Sequence, residues 1–259
     1  MYQNKNITSL IKYLFYQTKS SIANNFFNFI SLVAIHSILL LGITLFDAWI
    51  NEYINIFSLT IGIIVLRITL FLFIAGLWIG YFKLILNFID NKPSGFKQLF
   101  INFHLIPKIV VIQTLYYFTM LPFFIYLLLK YPYDISRYGT NFHEYLITIF
   151  TDITQMQEVV NMQLSGIDIL FFILFSFFPI LYLLKFWCAE LLIIDKECSI
   201  KHAMIYSYKI TFNYRHLILL FLLLFILNIL AIVFGYLIFI IVLTLSYLVV
   251  FNYYRLLLK

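Results

Sequence analysis

Charge is scarce in this chain. Asp, Glu, Lys and Arg make up 11% of its 259 residues, and apolar residues make up 64%. Soluble domains carry about 25% charged and roughly 45–50% apolar residues. A water-facing surface of this size cannot be covered with so few charges. An ordinary soluble fold is excluded, and lipid must solvate much of the chain.

Other scarcities narrow the chemistry. Only 8 glycines are present, too few and too scattered for a glycine-rich loop that cradles phosphate. The two cysteines, Cys188 and Cys198, have neither metal-ligand nor redox spacing and are expected to be reduced structural thiols. There is no His-Glu-x-x-His pair, no Gly-x-Ser-x-Gly elbow and no pair of intramembrane aspartates. No catalytic residue, cofactor site or metal ligand is assigned. The first 25 residues lack the pattern of a cleavable leader, because Lys5, Lys12 and Lys19 are dispersed and no small-residue cleavage site follows a short apolar core. The first span is expected to stay and act as its own insertion signal.

Phe and Tyr are abundant, at 30 and 20 residues. Together with the excess of Ile, Asn and Lys, this matches the bias of an AT-rich genome, so an aromatic stripe is a weak guide to a ligand site. The apolar residues gather into runs long enough to cross a bilayer, which needs about 20 residues per helix. Such runs occupy Phe29–Ile50, Ile56–Phe82, Ile109–Leu129 and Ile167–Trp187. The 39 residues from His216 to Tyr254 contain no Lys, Arg, Asp or Glu. As one helix they would be about 58 Å long, nearly twice the thickness of the hydrocarbon layer. They must fold back, and Gly235 is the natural turn between spans near Leu217–Phe234 and Tyr236–Tyr253. The expectation is an all-α polytopic membrane bundle of about six transmembrane helices plus interfacial amphipathic helices, forming a single integral membrane domain over residues 1–259.

Charge asymmetry orients these spans. With both ends inside, thirteen basic residues fall on the cytoplasmic side (Lys5 through Lys108 without the intramembrane Arg67, then Lys196 through Lys259), against Lys130 and Arg137 outside. That is a strong positive-inside signal and predicts a bacterial inner-membrane protein with cytoplasmic N- and C-termini. The basic balance is then accounted for by orientation and anionic lipid, and no nucleic-acid partner is implied.

Two cytoplasmic connections look alike. Residues 88–103, FIDNKPSGFKQLFINF, and 193–208, IIDKECSIKHAMIYSY, each leave the membrane at an aspartate, Asp90 or Asp195. Each has a serine four residues later, Ser94 or Ser199, placed as a helix N-cap, followed by apolar residues at helical spacing. Either a degenerate parallel repeat or the general grammar of membrane exits accounts for this. Further interfacial helices are expected at Ser9–Ala23 and, in the long outer loop, after Asn141.

These connections carry a resemblance. The stretch LWIGYFKLILNFIDNKPSGFKQLF and residues 177–220, with a Pro-containing span, a short acidic exit and an amphipathic helix, resemble the YciC-like membrane proteins. They are also similar to the membrane domain beside some glycerophosphodiester phosphodiesterases. The resemblance covers about residues 26–257 in layout and implies a six-helix membrane domain with no established activity. The Gly-Pro-rich late spans of that family are missing here, and so is the phosphodiesterase barrel.

Five polar residues in or near the spans are candidates. Arg67 lies about ten residues, or roughly 15 Å, from the outer end of its span. Such a charge faces protein or water, so Arg67 either contacts an anion or lipid phosphate, pairs with an acid such as Asp168, or snorkels outward. Lys185, with Glu190 five residues on, reads as a boundary snorkel or local pair. His36 reads as a satisfied interior histidine. Pro122 and Pro179 are expected to kink their helices. Two functions fit: a non-enzymatic membrane subunit or envelope and assembly factor that touches lipid and another membrane protein, or a transporter or lipid-handling protein with a polar site around Arg67.

Overall fold

A computed structural model describes residues 7–56, 60–93, 95–122, 125–126, 166–211 and 214–258. The expected outer-loop helix and the Ser94 cap lie outside these. The described residues are helical, with no strand among them. In chain order they form α1 (Ile7–Asn24), α2 (Phe26–Ile56), α3 (Thr60–Ile89), α4 (Gln98–Ile101), a 3-10 turn (Asn102–Leu105), α5 (Ile106–Phe118), α6 (Gly166–Lys196), α7 (Ile200–Ile210), α8 (Tyr214–Val233) and α9 (Tyr236–Leu257). Among the described residues, six stretches are long and apolar enough to cross a membrane: Phe26–Phe46, Ile68–Ile89, Gln98–Phe118, Leu174–Lys196, His216–Val233 and Tyr236–Leu257. The apolar surface points outward as well as inward. Phe27, Leu222, Phe225 and Val233 are all exposed, which suits lipid and not water. The protein is a multi-pass membrane protein.

Local chemistry sets several helix ends. Gly235 adopts φ 107, a left-handed backbone that glycine tolerates without strain, and separates α8 from α9 where the sequence required a reversal. Ser199 caps α7, its side chain accepting from the His202 N–H at 3.4 Å. α5 stops at Phe118, four residues before Pro122, where the proline ring would clash with the helix carbonyl. Pro179 sits inside α6 without ending it.

The spans differ from their expected limits. Hydropathy alone puts the second span at Ile56–Phe82, just before Lys83, and the fourth at Ile167–Trp187. Their helices continue to Ile89 and Lys196. Lys83 does not end the helix because its ammonium finds partners at the end of α6, as described below. The first exit segment also differs. The apolar spacing after Ser94 predicts an amphipathic helix, but only the single turn of α4 forms, followed by the 3-10 turn that runs into α5. The cause is close packing. Gly80 of α3 lies so near the Leu99 backbone that a Cβ there would overlap it, and a Cβ on Gly76 would overlap the Phe103 ring. The segment is seated directly on α3 by this Gly-x-x-x-Gly face.

The chain divides into two compact units. The first comprises Met1–Phe46, Thr60–Ile112 and Leu184–Lys259. Its main core joins Tyr81, Ile85, Leu105, Cys188, Ile193, Ala203, Leu248 and Tyr254. A second cluster seats Leu10 and Leu14 of α1 against Leu217, Leu220 and Leu224 of α8 and Val249, Tyr253 and Leu256 of α9. Their spacing of four puts both α1 leucines on one face, as expected for an amphipathic helix lying against the bundle. The second unit comprises Asp47–Leu59 and Gln113–Leu183. In it, rings of Tyr116 and Tyr182 lie 6.0 Å apart and those of Tyr126 and Phe171 4.5 Å apart.

Candidate functional site

The densest polar cluster in the first unit is built where three spans end. α3 finishes one residue before Asp90, α6 carries Asp195 next to its last residue, and α9 carries Arg255 in its last turn. Arg255 holds both carboxylates. Its Nε and Nη2 donate to the two Asp90 oxygens at 2.9 and 2.7 Å. Its Nη1 and Nη2 donate to the two Asp195 oxygens at 2.5 and 3.0 Å. The planar guanidinium matches this fork-to-fork geometry, which a lysine could not reproduce. The Tyr254 hydroxyl donates to Asp195 Oδ2 at 3.1 Å. The charged side chains are mostly shielded, with 16% exposure for Arg255, 22% for Asp90 and 7% for Asp195.

Two lysines complete the arrangement. Lys83 Nζ donates to the carbonyls of Ile194 and Asp195 at 3.0 and 3.2 Å. Lys108 Nζ donates to those of Glu197 and Cys198 at 3.1 and 3.3 Å. The last carbonyls of a helix have no partner within it, and they form the negative end of its dipole. The Lys83 ammonium meets both needs in the last turn of α6, and Lys108 holds the two residues just beyond it. Asn91 and Glu197, just beyond α3 and α6, both take φ 54, a left-handed turn that lets the chain leave each helix sharply. The two exit aspartates singled out by the sequence echo thus meet on one arginine. Around them Ile85, Cys188, Ala189, Ile193 and Tyr254 have no exposed surface.

His36 occupies a second buried node in the same unit. The Thr244 hydroxyl donates to Ile240 O at 2.9 Å. It is therefore left to accept from His36 Nδ1 at 2.8 Å, which leaves the lone pair of the neutral imidazole on Nε2. The rings of Trp78, Tyr81 and Tyr247 surround the imidazole at 5.5, 5.0 and 5.7 Å.

Lys185 is half-buried, with its Nζ 5.0 Å from the centre of the Tyr208 ring. Its own carbonyl accepts from the hydroxyls of Ser207 and Thr211, both at 2.9 Å, which fastens α7 to α6. Glu190 is half-buried in the next turn of α6. Arg67 and Asp168 are placed in α3 and α6, but their side chains lie outside the described part of the structure. Of the candidates whose side chains are described, His36 sits in the Trp78–Tyr81–Tyr247 node and Lys185 and Glu190 share α6. The cluster that does assemble includes Arg255, Lys83 and Lys108, which the sequence presents only as orientation charges. The one signal that pointed to it was the paired position of Asp90 and Asp195.

Cys188 and Cys198 are both free. Cys198 lies just beyond the fourth span, and partial burial pushes its thiol above the ordinary value.

No family model, no curated protein and no solved structure matches this chain.

Proposed function

We propose that the protein is a non-enzymatic subunit of a bacterial inner membrane, with both termini in the cytoplasm, serving as a scaffold or as an envelope or assembly factor. The observation that carries this reading is the charge knot. Arg255 binds both aspartates, and the ends of α3, α6 and α9 are held by one guanidinium. Rocking these spans apart would strip the shielded guanidinium of its carboxylates, at a cost of roughly 3–5 kcal/mol. Span ends tied together in this way suit a body that other components dock against. They suit alternating access poorly. The side assignment is supported by the concentration of basic residues at the same end.

Purification of the tagged chain from its native membrane in mild detergent tests the proposal. A membrane-protein partner at fixed stoichiometry is expected. Recovery of the chain alone would count against a subunit role. Flux or lipid movement in reconstituted vesicles that disappears in Arg67→Ala would replace the reading with a transporter centred on Arg67.

A further inference from the structure

We infer that the groove between α1 and α9 is a binding site for one anionic phospholipid, with an acyl chain in the groove and the headgroup phosphate on Lys19. The inference rests on the membrane setting of the helices and goes beyond the scaffold reading by naming a ligand class and its site.

The groove has a volume of about 300 Å³ and is lined by Phe15, Thr18, Lys19, Ile22 and Ala23 of α1 with Leu245 and Val249 of α9. That is the lower end of the range for small-molecule sites. Its walls are apolar apart from Thr18 and Lys19. Thr18 is spent on the protein, since its hydroxyl donates to Leu14 O at 2.9 Å and accepts from Asn252 at 3.1 Å. Lys19 is exposed, and no side chain among the described residues pairs with it.

The two ends of the groove sit at different depths. Thr18 is tied to Asn252, near the charged end of α9. Leu245 lies seven residues farther along that helix, about 10 Å deeper into the span. The groove therefore runs from the level where α1 crosses the bundle toward the membrane interior. Water would find no partners on its apolar walls, whereas a hydrocarbon chain buries apolar area there. The ammonium at the rim then selects the headgroup. A phosphate carrying net negative charge gains a charge-assisted hydrogen bond, and a zwitterionic choline headgroup brings a cation to the same place. The acyl chain supplies depth and Lys19 supplies selectivity.

The test is native mass spectrometry of the purified full-length chain in mild detergent, titrated separately with phosphatidylglycerol and phosphatidylcholine. One phosphatidylglycerol per chain should be retained, at least fivefold more strongly than phosphatidylcholine. Lys19→Glu should lower that retention at least fivefold, while Lys19→Arg keeps it. Lys12→Glu, on the same helix but outside the groove, should leave it within twofold. Ala23→Trp should displace the lipid by filling the groove from an exposed position. Equal retention of both lipids would overturn the inference. So would Lys19→Glu binding like the parent chain, or Lys12→Glu losing as much as Lys19→Glu, because a diffuse basic surface would then explain the binding. If Ala23→Trp does not fold, the lysine variants decide. A chain that failed to sediment with membranes would refute the membrane reading first, so the two failures are distinguishable.

Discussion

Arg255 faces two carboxylates, and the energetic consequence depends on which partner is removed. Asp195 is the more shielded, and it also accepts from Tyr254. Asp195→Ala leaves a buried guanidinium half-paired and a tyrosine hydroxyl without its acceptor, so we expect a loss of roughly 3–5 kcal/mol. Asp90→Ala should cost less, because that side chain is the more solvated. Arg255→Lys should cost at least about 2 kcal/mol, since an ammonium cannot span both acids in their observed geometry. Thermal unfolding in detergent checks the order. Asp195→Ala unfolding at the parent temperature would show that the knot holds nothing. Cys198 offers a second test at this scale. The thiolate is the reactive form, and burial raises the thiol above the usual value of about 8.5. Maleimide labelling should be slow at pH 7 and quicken as pH rises through the elevated value. Cys188, with no exposed surface, should label only after unfolding.

At the scale of the element, the glycines of α3 make opposite demands on their neighbours. A methyl on Gly80 would meet the backbone of Leu99, while one on Gly76 would meet the Phe103 ring, which can swing aside. Gly80→Ala should therefore destabilise by roughly 1–3 kcal/mol, and Gly76→Ala should cost distinctly less, as read by the same unfolding assay. Equal effects would mean that α4 is not seated on this face. The elements that were legible in the sequence are those fixed by neighbours in the chain. Gly235 turns because 39 uncharged residues cannot span once, and Ser199 caps because it precedes an amphipathic run. The limits of the second and fourth spans were not legible. Lys83 and Lys108 act on carbonyls 89 to 112 positions away, and helical periodicity carries no information about partners so distant. The same reason hid Arg255, whose partners lie 165 and 60 positions back. Asp90 and Asp195 were visible only because they recur in similar surroundings.

For the whole molecule, one arrangement serves both orientation and cohesion. The basic residues that the positive-inside rule assigns to the cytoplasm are, in part, the residues that finish α6 and join α3 and α9. On the proposed reading, the end with the most positive charge is held by Arg255, and α1 lies against α8 and α9 at that end through Leu10 and Leu14. On the proposed topology, six spans put both ends of the chain on the same side as Arg255. Reporter fusions test that most directly. A reporter active only in the periplasm should be silent when fused after Lys259 and active when placed near Gly139, with a cytoplasm-active reporter giving the complementary pattern. Activity of the periplasmic reporter after Lys259, or its silence near Gly139, would contradict the account.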